Sequence, residues 1–245
     1  TTGRFISADT LLSTGQGVLG HNCYAYCRDN PSSRFDPSGT EDKKTVIIFF
    51  TSYPESETSE EGDFKAQAEF YKKKLEDEGY VVELIEKNTA TDFRDSWNDL
   101  KGSYSRVYIF CHSNGMSLIF QDGHGIGATG KNRDGTPSMG GAISELTPVQ
   151  IDALYLMCCN AGHLGLYKEK GINVASAFYD LGSIAKVHAY DGNMAFGNGE
   201  DDNYDDRLSN TQWSYRTMYS KFGLSFWKNF FSKPKGWVTY PLKKE

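Results

Sequence analysis

Two short apolar runs in this chain end at residues able to attack a carbonyl or to move a proton. Val107-Tyr-Ile-Phe-Cys111 leads into His112-Ser-Asn-Gly115, and Leu154-Tyr-Leu-Met157 leads into Cys158-Cys159-Asn-Ala-Gly162. A thiol of ordinary pKa, about 8.5, is mostly protonated at neutral pH, and a neighbouring imidazole converts it to the attacking thiolate. The tetrahedral intermediate then needs N–H donors, and tight turns rich in Asn and Gly after His112 and Cys159 present them. Successive strand residues face opposite sides of a sheet, so Cys158 and Cys159 do not both enter one crevice, and a one-residue shift of register exchanges them. Taken one at a time, the same residues also read as small buried hydrophobes and a satisfied strand-end histidine.

Both runs are short, β-branched or aromatic, and closed by Asn and Gly, the pattern of buried strands ending in turns. From Glu41 onward strand and helix patterns alternate. Strands are expected at Thr45–Phe50, Tyr80–Ile85, Val107–Cys111, Ser117–Phe120, Ala153–Cys158 and Ala185–Ala189. Helices are expected at Phe64–Glu78, at Thr91–Leu100 with Thr91 as N-cap, at a one-turn start over Thr147–Ile151, at Asn173–Leu181 and at about Thr211–Phe231. Such alternation implies crossover connections: an α/β fold, with a mainly parallel sheet covered on both faces in three layers. In an open parallel sheet, groups just past the carboxyl ends of neighbouring strands meet in one crevice.

Composition narrows the function classes. The 245 residues, 38% hydrophobic, suffice for a sizeable core, and a net charge of −6 argues against a nucleic-acid groove, which needs a basic stripe. No run approaches the ~20 apolar residues of a membrane-spanning helix. The chain opens without Met and reads as a piece of a longer polypeptide, and five cysteines are an odd number that does not suggest a disulfide framework.

Residues 1–40 differ in character: short strand-sized pieces cut up by turn residues. Thr2-Gly-Arg-Phe-Ile-Ser-Ala-Asp9, Gly15-Gln-Gly17, Asn22-Cys-Tyr-Ala-Tyr26, Asn30-Pro31 and Phe35-Asp-Pro-Ser-Gly39 occur in order. This segment resembles the C-terminal end of the RHS-repeat (YD-repeat) core, which closes on Asp-Pro-x-Gly. The resemblance implies a β-cage around a variable C-terminal effector, usually a toxin, so the domains are expected at 1–40 (a short β-rich tail of the RHS core) and 41–245 (the effector). Some RHS proteins cut themselves after that motif, with acidic residues assisting and a bulky apolar residue next; here Thr40 follows Gly39, and Asp36 is the acidic candidate.

At the two strand ends the chain resembles the caspase-like (clan CD) cysteine peptidases, including the CHAT and clostripain-type branches. Their pattern is a strand ending in His-Gly, a hydrophobic hairpin, a variable loop, and a strand ending in Cys. Position by position, the resemblance assigns the general base to His112 and the nucleophile to Cys159, the cysteine directly before Asn-x-Gly. It places the oxyanion-hole N–H groups at Ser113 and Cys159, with Ser113 standing where the family most often has Gly. It also implies a primary specificity pocket at the end of the next strand, where Asp191 favours Arg or Lys in the substrate; Asp122 is a second candidate. No metal or organic cofactor enters such chemistry.

Other features carry less chemistry. Gly125-Ile-Gly-Ala-Thr-Gly130 has dinucleotide-type spacing without a following helix and reads as a loop. Glu200–Asp206 is dense in oxygen ligands but lacks the Gly and terminal Glu of a calcium loop. His21, Cys23 and Cys27 lack a fourth zinc ligand. Met218, Phe222, Phe226 and Phe230 give the C-terminal stretch an amphipathic face suited to cover the sheet or to lie on a membrane. The expectation is a secreted or delivered RHS-borne endopeptidase toxin, with a target protein as substrate, a neutralising immunity protein and the N-terminal RHS cage as partners. A membrane-perturbing toxin and a catalytically silent caspase-like binding domain are the competing readings.

Overall fold

Runs such as Val46–Phe50 and Val107–Phe110 are apolar on both alternating faces, which requires cover on both sides, and the fold supplies it. The computed structural model describes residues 34–35, 43–53, 64–131, 135–192 and 236–242. Its elements are β1 (Arg34–Phe35), β2 (Lys43–Phe50), α1 (Phe64–Asp77), β3 (Val81–Glu86), α2 (Ala90–Asn98), β4 (Ser103–Phe110), β5 (His112–Ser113), β6 (Ser117–Ile119) and β7 (Gly125–Gly127). A 3₁₀ turn at Ile143–Glu145, β8 (Gln150–Met157), α3 (Leu164–Lys170), α4 (Val174–Tyr179), β9 (Val187–Asp191) and β10 (Gly236–Tyr240) follow.

The main sheet runs β3-β2-β4-β8-β9-β10, parallel throughout except for β10, which is antiparallel to β9; β1 pairs antiparallel with the first two residues of β2. The fold is thus α/β with a mainly parallel sheet, as expected. The expected boundary at residue 40 falls inside the β1–β2 connection. A second sheet, β5-β6-β7, grows out of the end of β4 as an antiparallel hairpin and one further strand.

Helices lie on both faces. On one, Phe93 and Trp97 of α2 and Val174, Ala175 and Phe178 of α4 pack on Ile47, Phe49, Val107, Ile109, Leu154, Leu156, Val187 and Ala189. On the other, Phe64, Ala68 and Leu75 of α1 pack on Val46, Ile48, Phe50, Tyr108 and Phe110. Strict alternation along β4 and β8 therefore sorts every residue, including those just beyond the strand ends, onto one face or the other.

Two local expectations are corrected. The N-cap of α2 is Thr89, not Thr91: its Oγ1 accepts from the Asp92 N–H at 3.1 Å. Thr147–Ile151 does not begin a helix, because the Thr147 N–H donates to Asn98 Oδ1 (2.8 Å) and its carbonyl accepts from Trp97 Nε1 (3.1 Å). With both backbone groups engaged by the end of α2, the chain turns instead at Ile143–Glu145 and enters β8 at Gln150. The Leu164–Lys170 helix and the strands β7 and β10 are additions to the expected elements. The expected helix at Thr211–Phe231, the acidic run 200–206, His21, Cys23, Cys27 and Asp36 lie outside the described residues.

Candidate active site

Phe110 of β4 pairs with Met157 of β8 as the last pair of that ladder, and Cys111–His112 and Cys158–Cys159 follow directly at the carboxyl ends of these adjacent parallel strands. Neighbouring strands run about 4.8 Å apart. Cys111 and Cys158 both lie in the core under α2 and α4, each about 1% exposed, with their thiols beside each other. Burial and that contact push the Cys158 thiol well above its ordinary range. Cys159 takes the opposite face: it is half-buried and packs against the core that contains Phe50, Phe110 and Met157. His112 follows the same alternation onto that face, where its ring lies 5.4 Å from Tyr53 and 5.0 Å from Phe64, edge to face with the latter.

These two rings cover part of the imidazole, and the rest of the residue stays exposed. Desolvation lowers its pKa, so the ring is neutral at neutral pH and able to accept a proton. Ser113 is buried, and its Oγ accepts from the Gly115 N–H at 3.1 Å, which stabilises the turn after His112. The Asn114 N–H donates to the Ser117 carbonyl at 3.3 Å. In an antiparallel ladder bonded and non-bonded pairs alternate, so the Ser113 N–H is directed away from β6.

The two motif turns touch. Gly115 has φ +85°, and a Cβ there would lie 2.8 Å from Leu166 Cδ1 and 3.1 Å from the Asn160 carbonyl oxygen, so both backbone and space demand glycine. The first amides of α4 bind the same pair of turns: Val174 N–H donates to Gly115 O and Ala175 N–H to Ala161 O, each at 3.0 Å. Asn160, directly after Cys159, adopts the left-handed conformation at φ +58°, which Asn tolerates better than most residues.

The end of β9 holds the Cys159 turn through three successive residues. The Gly162 N–H donates to Tyr190 O (3.1 Å), the Asn160 N–H to Gly192 O (2.6 Å), and His163 Nδ1 bonds Asp191 Oδ1 at 3.1 Å. A carboxylate only accepts, so Nδ1 carries the proton. His163 is 1% and Asp191 4% exposed. The expected role of Asp191 in a pocket for basic side chains is therefore corrected. Alternation along β9 puts its carboxylate on the Ala189 side, away from Cys159, and there it is committed to His163. On the Cys159 side β9 and β10 present Tyr190 and Trp237, ring centroids 5.7 Å apart, an aromatic rather than an acidic surface. Asp122 is exposed in the β6–β7 turn, where its Oδ1 accepts from the His124 N–H (3.0 Å) and its N–H donates to the Asn88 carbonyl (3.2 Å). Asn88 in turn receives Thr51 Oγ1 and the Ser52 N–H on Oδ1, and with Ser52 it holds the Glu86 carboxyl below its ordinary pKa, Ser52 contributing most.

Sequence reasoning missed His163, Tyr53 and the aromatic rim. The signal for Tyr53 was its place just past an apolar strand; His163 carries no local signal, since its partner is 28 residues away. Among the described residues no cluster of three or more His, Cys, Asp or Glu could hold a metal ion, and no helix is long and apolar enough to cross a membrane. Neither the protein-family models nor the curated proteins contain a match to this chain.

Proposed function

We propose that residues 41–245 form a cysteine endopeptidase of caspase-like design in which Cys159 attacks the scissile carbonyl and His112 serves as its base, without metal or cofactor. The observation that carries this reading is the pairing of β4 with β8: His112, whose pKa desolvation lowers, and the half-buried Cys159 each follow the end of one of these adjacent strands. His112 takes the Cys159 proton, the sulfur bonds to the carbonyl carbon, and the oxyanion falls to the N–H groups of Ser113 and Cys159. The imidazolium then protonates the departing amine, and water releases the acyl group. Asp191, turned inward onto His163, does not select a basic residue at the cleaved position. As the effector end of an RHS-type protein, delivered into a target cell, such a peptidase requires an immunity protein in its producer.

Recombinant protein incubated with a proteome-derived peptide library tests the reading. Cleavage is expected, lost in Cys159→Ala and retained in Cys158→Ala, whose thiol lies in the opposite core. Iodoacetamide is expected to label Cys159 faster than free cysteine. Cleavage surviving Cys159→Ala, or dependent on Cys158 instead, overturns the assignment.

A further inference from the structure

Within the interior, the His163–Asp191 contact is a buried side-chain hydrogen bond on the face away from the thiol, and the chemistry outlined above does not use it. A buried polar pair costs desolvation on folding, so its location is informative. It joins the last residue of the Cys159 turn to Asp191, which lies between the two residues, Tyr190 and Gly192, whose backbone carbonyls receive amides from that turn. The turn it closes contains Asn160 in a left-handed conformation, the bend by which the chain leaves Cys159. The His163 end is fixed further: its N–H donates to the Asn160 carbonyl (2.9 Å), and its carbonyl accepts from Asn173 Nδ2 (3.2 Å). Asn173 Nδ2 also reaches the Tyr240 hydroxyl at 2.7 Å.

We propose that His163 and Asp191 are a positioning pair for the nucleophile: their buried hydrogen bond locks the Asn160–His163 turn against β9 and so fixes where Cys159 presents its sulfur and N–H to His112 and the substrate. This rests on the peptidase reading of the same site. The pair acts through the backbone between residues 159 and 163. Displacement of a reacting group by about 1 Å costs up to a hundredfold in rate, which sets the scale for losing the lock.

The test is the second-order rate of Cys159 alkylation by iodoacetamide across pH, on the full chain, with mass-spectrometric site assignment and thermal unfolding of every variant. His163→Ala is expected to slow alkylation at neutral pH by about ten- to a hundredfold and to move the acid limb toward that of an ordinary thiol, while the variant remains folded at the assay temperature. His163→Asn, whose Nδ2 can donate from near the Nδ1 position, is expected to recover most of the rate. Asp191→Asn keeps the volume and removes the charge assistance, so a severalfold loss is expected; it carries the test if His163→Ala does not fold. Fast wild-type labelling with His163→Ala and Asp191→Asn both at the wild-type rate overturns the positioning role alone. Equal slowing in His163→Ala and His163→Asn also overturns it, assigning the pair to packing. Wild-type Cys159 reacting no faster than free cysteine overturns the peptidase reading before any variant is compared.

Discussion

Replacing Gly162 by Ala probes how the turn after Cys159 is seated. A Cβ at this position would lie 2.4 Å from Val238 Cγ2 and 3.1 Å from Ala189 Cβ, where carbon atoms prefer about 3.5–4.0 Å. Val238 belongs to β10, which is hydrogen-bonded in register to β9, so it yields only by moving the strand or leaving its rotamer. Overpacking of this kind costs about 1–3 kcal/mol. Val238→Ala alone removes two methyl groups at a site 8% exposed, costing about 1.6 kcal/mol at ~0.8 kcal/mol per buried carbon. If the two residues acted separately, the double variant would lose about 3–5 kcal/mol. Because the added methyl occupies the space the valine vacates, the expected loss is nearer 2 kcal/mol, leaving only the tight contact with Ala189. Urea unfolding of the four proteins measures the difference. Additivity within about 0.5 kcal/mol would refute the packing of β10 over this turn.

Two further outcomes are expected. Desolvation by Tyr53 and Phe64 holds the His112 pKa below the ordinary value of about 6.5, so Cys159 reactivity should persist at pH values below 6.5 and fall only as pH drops through the lowered value. The same depression contributes stability that is present above the unfolded-state pKa and lost as pH falls toward the folded one; Phe64→Ala should shift the acid limb upward, and an unmoved limb would refute the desolvation argument. Thr89→Ala should cost about 1 kcal/mol in urea unfolding, Thr89→Ser much less and Thr91→Ala almost nothing; an equal cost at Thr91 would refute the assignment of the cap.

Strand ends bearing chemistry were legible because an apolar run plus an Asn-Gly turn is a local signal, complete within about ten residues on either side of His112 and Cys159. Which cysteine faces the crevice was not: that needs the register of β8 against β4, fixed by pairing across 47 positions of chain between Phe110 and Met157. Asp191 before Gly192 reads alike as a turn residue, a pocket floor or half of a buried pair, and only His163 distinguishes these. Thr147 looked like a helix start because its competing partners, Trp97 and Asn98, are contributed by another helix. Gly236–Tyr240 escaped notice because five alternating residues beside prolines carry little pattern until β9 offers an edge to pair with.

The last strand lends two side chains to the turn beneath the thiol: Val238 against Gly162 and the Tyr240 hydroxyl beside Asn173. A chain emerging from the ribosome presents residue 159 long before residue 240. Until the later residues arrive, the loop bearing the sulfur lacks its floor, and β9 its neighbour on that edge. Synthesis itself would then delay the seating of the Cys159 loop until translation has passed this strand.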